Sequence, residues 1–142
     1  MTDFRKIDHS ISVAGQVTPA DVAAAAEQGF TTIINNRPDE EEAGQPSGEA
    51  IREAAQSAGL AYVAIPITHG GFSVNQVNAM RDALDQAKGP VLAFCRSGTR
   101  STHLWALAKG SDGDDPRELV AKAAGAGYDI SALAPLLGQA RA

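Results

Sequence analysis

The sequence predicts an α/β fold in which a central, mainly parallel sheet is flanked by helices. Short β-branched runs alternate with alanine-rich stretches of helical character. Four of those stretches open on a capping residue (Thr18, Ser47, Ser73, Asp115), and glycines stand where they should stop.

Residues 10–15 alternate polar and apolar side chains, as an edge or first strand should. Thr18-Pro19-Ala20-Asp21 then supplies an N-cap, a proline at the first helical position and an acid in the first turn. That helix runs through the alanines to Gln28, and Gly29 ends it. Residues 30–35 are rich in β-branched side chains and read as a buried strand. The loop 36–46 carries Arg37 and four consecutive acids at 39–42, which read as a solvated face rather than a metal site. Ser47 caps a helix to about Ala58, Gly59 closes it, and residues 60–65 form the next strand, broken by Pro66. Ser73 caps a longer helix in which Val74, Val77, Met80, Ala83, Leu84 and Ala87 recur at helical spacing. Gly89-Pro90 leads into an apolar run ending at Phe94. A helix bearing Leu104, Trp105, Leu107 and Ala108 follows, then one capped by Asp115 with Pro116 at its first position. A last helix begins near Asp129 or Ser131, and the tail shows no strand signal.

At 142 residues with 44% hydrophobic and 20% charged residues, the whole chain 1–142 reads as one globular domain large enough for its own core. One cysteine cannot form an internal disulfide, which excludes a disulfide-built secreted scaffold. Residues 1–8 have no apolar core of the kind a signal peptide needs, and no stretch approaches membrane-span length, so a cytoplasmic protein without membrane contact is expected. A net charge of −5 without a Lys/Arg cluster argues against a nucleic-acid partner. His9, His69 and His103 show no metal-ligand spacing, and no dinucleotide or Walker-type glycine loop is present, so neither metal nor cofactor is expected.

Chemistry concentrates at Cys95-Arg96-Ser97-Gly98-Thr99-Arg100-Ser101. A strand that stops at a thiol and turns through a glycine into a helix builds an anion cradle with a nucleophile at its base. The first N–H groups of the helix are unpaired, and its dipole adds positive potential. Two guanidiniums beside it favour the reactive thiolate.

The chain resembles two families. Cys95-Arg96-Ser97-Gly98-Thr99-Arg100 resembles the C-R-x-G-x-R active-site loop of rhodaneses, and also the H-C-x-x-G-x-x-R-[ST] loop of cysteine-dependent phosphatases. Four residues separate Cys95 from Arg100 where the phosphatase loop has five, and Phe94 stands where phosphatases usually place histidine. The segments 11–16, 29–38 and 62–67 are similar to the beta-lactamase hydrolase-like domain, and that resemblance spans nearly all of residues 9 to 138. It implies a dual-specificity-phosphatase-like fold and a family that also occurs fused to metallo-hydrolase domains in sulfide and persulfide metabolism. In the dual-specificity pattern the general acid follows a strand ending in Ile-Pro. Here the loop after Ile65-Pro66, residues 67–72, holds no Asp or Glu; His69 is its one titratable group, and Asp82 lies within the next helix.

The leading expectation is therefore a thiol-based sulfurtransferase. Cys95 takes sulfur from a small anionic sulfane-sulfur donor, holds it as a persulfide and yields it to an acceptor thiol. A tight cradle suits one terminal sulfur, and a thiolate or sulfite leaves without an acid. The alternatives are a phosphatase using the same Cys95 and Arg100, and a non-catalytic module that binds anions or persulfides. Arg100 offers a planar fork to the anion. Arg96 is either a second fork or a solvent-facing charge, Gly98 permits the turn, and Ser97 and Thr99 contribute amides. Ser101, by the phosphatase resemblance, hydrogen-bonds the thiolate. Arg37, at a strand end, is a second anion contact or a turn residue; His69 is a proton donor or a loop histidine with a backbone partner.

Overall fold

The computed structural model describes residues 2–68 and 71–139. Five strands form the sheet: β1 (Arg5–Asp8), β2 (Ile11–Ala14), β3 (Thr32–Asn35), β4 (Ala61–Ala64) and β5 (Val91–Phe94). Their order is β1-β2-β5-β3-β4; β1 runs antiparallel to β2 and every other pairing is parallel. The helices are α1 (Pro19–Glu27), α2 (Gly48–Ser57), α3 (Val74–Gln86), α4 (Thr99–Ser111), α5 (Pro116–Gly125) and α6 (Ala134–Gln139), with a short 3₁₀ turn over Ser131–Leu133. The α/β class and the caps read from the sequence are thus present. Thr18 and Asp21 close a reciprocal capping box, and Ser47, Ser73 and Asp115 each accept a first-turn N–H.

One strand assignment needs correction. Residues 10–15 are expected as an edge or first strand, but β2 is the second strand and lies inside the sheet, wholly buried, with the short antiparallel β1 outside it. Arg5-Lys6-Ile7-Asp8 has a single apolar residue, Ile7, to bury, so no periodicity announces β1.

The sheet is covered on both faces. Val22 and Ala25 of α1 and Ile51 and Ala55 of α2 pack with Ile33, Leu92 and Phe94 on one side. On the other, Met80, Leu104, Trp105, Leu119 and Leu137 pack with Val13, Ile34, Val91 and Ala93. β5 feeds both clusters by strict alternation, which is why residues 91–94 read as a continuous apolar run. Trp105 is the largest buried side chain, yet its Nε1–H finds no partner among the described residues. Trp105→Phe removes that orphan donor along with some packing. It is expected to cost less than about 2 kcal/mol in urea unfolding, against about 3–5 for Trp105→Ala.

The parallel strands all point their carboxyl ends the same way. They deliver Gln16, Asn36-Arg37, Ile65–Ile67 and Cys95 to one rim, the crevice where open α/β sheets bind ligands.

Candidate active site

Cys95 follows the last residue of β5 and is completely buried. The chain then turns over Arg96 and Ser97 to Gly98, which caps α4 with a left-handed φ of 91°. A β-carbon built on Gly98 would lie 2.1 Å from the Tyr128 hydroxyl, so both conformation and space demand glycine there. Gly98 N–H donates to Cys95 Sγ at 3.1 Å. Gly98 offers no side-chain cap, so the first N–H groups of α4 are left without an intrahelical partner at the thiol end of the helix.

Arg100 is the second residue of α4. Its Nη1 donates to Glu41 Oε2 at 2.7 Å and to the Ile67 carbonyl at 2.7 Å, and its Nη2 donates to Glu41 Oε1 at 2.9 Å. The hydrogen bonds it donates to Glu41 raise Arg100 above its ordinary value against the opposing effect of burial, and the nearby Cys95 charge adds to the rise. Arg37 is brought into the same cluster. Its Nε donates to Glu41 Oε1 at 2.9 Å and its Nη1 to Gln16 Oε1 at 3.0 Å, with the side chain only 2% exposed. Arg37 is therefore a buried member of the arginine cluster, and it also occupies a bend before Pro38, its N–H donating to Asn35 Oδ1 at 2.9 Å. Arg96, by contrast, points outward at 65% side-chain exposure and pairs with Glu42 at 3.2 Å. Ser97 and Thr99 are exposed, and Ser97 donates to Thr99 Oγ1 at 3.0 Å.

The acidic run is where the sequence reading departs most from the fold. Glu41 does not belong to a solvated face: its carboxylate receives both Arg100 and Arg37 and is 16% exposed. The hydrogen bond from Arg100 first, then that from Arg37, outweigh burial and hold its carboxyl at about 2. Asn36 was also missed. Fully buried, it donates from Nδ2 to the Ile65 carbonyl at 2.9 Å and accepts the Ser101 hydroxyl at Oδ1 at 2.8 Å. Ser101 was expected to donate to the thiolate. Its single proton goes to Asn36 instead, and the sulfur's donor is the Gly98 backbone. His69 lies outside the described residues. Among the described residues, no group of three or more His, Cys, Asp or Glu could hold a metal ion, and no helix is long and apolar enough to cross a membrane.

The signals for the missed residues are uneven. Four acids opposite three loop arginines could have suggested Glu41, since buried guanidiniums need counter-charges. Nothing local marks Asn36 or Tyr128.

Comparison with known proteins agrees with this geometry. The family model described as beta-lactamase hydrolase-like protein, phosphatase-like domain, matches residues 3–112. A beta-lactamase hydrolase-like protein of Agrobacterium fabrum is 38% identical over 108 residues, covering 76% of this chain and 25% of that protein. One from Xylella fastidiosa is 36% identical over 114 residues, covering 80% of this chain and 26% of its own length. The chain thus spans about a quarter of these curated relatives. Among solved structures, a putative phosphatase from Neisseria meningitidis superposes with a TM-score of 0.83 at 34% identity, covering 97% of this chain and 98% of that one. A kinase-associated phosphatase, crystallised with its catalytic-site cysteine replaced by serine, reaches a TM-score of 0.74 at 14% identity over 99% of this chain and 93% of its own. At that identity the likeness shows the fold, which is that of cysteine-dependent protein phosphatases.

Proposed function

From the premise that this chain belongs to the family of beta-lactamase hydrolase-like, phosphatase-like domains, we propose that it is a cysteine-dependent phosphatase for esters whose leaving group departs with little acid help. The observation that carries the reading is the Cys95 sulfur receiving the Gly98 N–H at the start of α4, beside the Arg100 guanidinium. The putative phosphatase at 34% identity, and the phosphatase-like family the chain matches, support phosphate over sulfur as the group transferred. The leading sequence expectation, sulfur transfer, draws no such support and becomes the second reading.

In the first step the Cys95 thiolate attacks phosphorus. The P–O bond breaks, and the leaving oxygen departs with the electron pair and takes its proton from water. In the second step water attacks phosphorus and the P–S bond breaks. Inorganic phosphate is released and the thiolate restored. Arg100 and the α4 amides hold the equatorial oxygens, and their charge grows more useful as the transition state forms. Glu41, held at about 2, is a carboxylate at neutral pH and has no proton to give. Asp82 lies within α3 and not in the loop that follows Ile65-Pro66. With no carboxylic acid among the described residues placed to donate, phenolic esters, whose leaving groups need least protonation, are the expected substrates.

Sulfur transfer is favoured by one specific feature, the four-residue spacing from Cys95 to Arg100 without a carboxylic acid after Ile65-Pro66. In that reaction the thiolate attacks the outer sulfur of a sulfane donor and the S–S bond breaks. The donor leaves as thiolate or sulfite, and an acceptor thiol removes the sulfur.

Intact-mass analysis after an acid quench separates the readings. With an aryl phosphate, one phosphoryl group confined to Cys95, together with steady phosphate release, is expected. One added sulfur atom from a persulfide donor, without phosphorylation or phosphate release, overturns the phosphatase reading in favour of sulfur transfer. Binding of phosphate without either adduct overturns both and leaves a binding module.

A further inference from the structure

The geometry points to Tyr128 as the positioning residue that keeps the Ser97–Gly98 peptide turned so that its N–H faces the Cys95 sulfur. One peptide plane carries both contacts. Its nitrogen end, Gly98 N–H, donates to Cys95 Sγ at 3.1 Å, and its oxygen end, the Ser97 carbonyl, accepts the Tyr128 hydroxyl at 2.9 Å. Rotating that plane by half a turn would withdraw the donor and aim a carbonyl dipole at the thiolate and at any bound oxyanion.

Such a rotation has to be opposed, because Gly98 at φ 91° gives the plane little steric resistance. The carbonyls on either side of it are held by partners in the rim and in α4. Arg96 O accepts Gln16 N–H at 3.3 Å, while Gly98 O accepts Thr102 N–H at 2.9 Å and the Thr102 hydroxyl at 2.8 Å. The Ser97 carbonyl is instead held from a distant segment, by Tyr128. A bond to the carbonyl also polarises the peptide and strengthens its N–H as a donor.

Tyr128 is itself well fixed. Gly127 ends α5 in the left-handed conformation, its N–H bonding Ala124 O at 2.9 Å while Tyr128 N–H bonds Ala123 O at 2.9 Å. The guanidinium of Arg5 lies 5.4 Å from the centre of the Tyr128 ring. Burial raises the phenol above its ordinary value, partly offset by Arg5 and reinforced by Cys95, so the hydroxyl remains a donor. Tyr128 lies beyond residues 3–112, the part matched by the family model, so the segment after α4 completes a loop that the matched part begins.

This inference rests on Cys95 being the nucleophile, but not on which group it transfers. Tyr128→Phe keeps the ring against Arg5 and deletes only the hydroxyl. Iodoacetamide alkylation of Cys95 near neutral pH is expected to slow about fivefold, the worth of one hydrogen bond, and to converge with the parent protein at high pH. kcat/KM for an aryl phosphate falls by a similar factor, while Tm changes little. Superimposable alkylation profiles for the two proteins overturn the inference. A shifted profile in a protein that turns over no phosphate ester leaves Tyr128 in its role and removes the phosphatase reading instead.

Discussion

Cys95→Ser is expected to lower aryl phosphate turnover by at least about 10⁴-fold while leaving the fold and anion binding in place. A hydroxyl at the same site accepts the Gly98 N–H as the sulfur does, and it is smaller than the thiol in a fully buried position. The core therefore loses little. Reactivity is lost because serine has no ionised form at neutral pH, and the described neighbours supply no base to create one. Ser101 Oγ donates to Asn36, and Glu41 is occupied by two guanidiniums. Arg100 and the α4 amides are untouched, so phosphate, which is held by hydrogen bonds and charge alone, should bind the variant as it binds the parent protein. Steady-state kinetics and calorimetric anion binding check both halves. Turnover that survives in Cys95→Ser removes the thiolate from the mechanism.

Most of the scaffold was legible because its cues are local. β5 announces itself as an apolar run since both its faces are buried, and Thr18, Ser47, Ser73 and Asp115 cap helices through bonds spanning two or three residues. The thiol loop was legible for the same reason, its four residues 95–98 joining a strand directly to a helix. What stayed hidden depends on contacts across the sequence. Asn36 meets Ser101 from 65 positions away, Glu41 meets Arg100 from 59, and Tyr128 meets Ser97 from 31. A charge run read in isolation looks solvated; it becomes a counter-charge only when the β3 and β5 ends stand side by side in the sheet. The direction of the Ser101 hydroxyl was misjudged on the same ground, since its acceptor arrives from another strand end.

Glu41→Gln is expected to lower unfolding stability at neutral pH by about 2–3 kcal/mol, a large effect for one loop residue. The carboxyl is held at about 2 against an ordinary 4.5, chiefly by Arg100, with Arg37 adding to it. A carboxyl whose folded value lies below its unfolded value stabilises the fold fully above the unfolded value and progressively less below it. This contribution is thus complete above about pH 5 and drains away between pH 4.5 and pH 2 as protons compete with the arginines. Urea unfolding of both proteins at pH 7 and again near pH 3 tests the sign, because the gap between them must narrow on acidification. A gap absent at pH 7 would mean that Glu41 is an ordinary surface acid. Charge counting gives the same answer by another route. Arg37, Arg96 and Arg100 face Glu41 and Glu42, leaving one net positive charge at the mouth of the cradle for an incoming anion. Glutamine raises that to two, and one of the cations left short is Arg37, whose side chain is 2% exposed and has almost no water to replace the lost partner. A stronger pull on phosphate would then come at the expense of the fold that aims Arg100 at it.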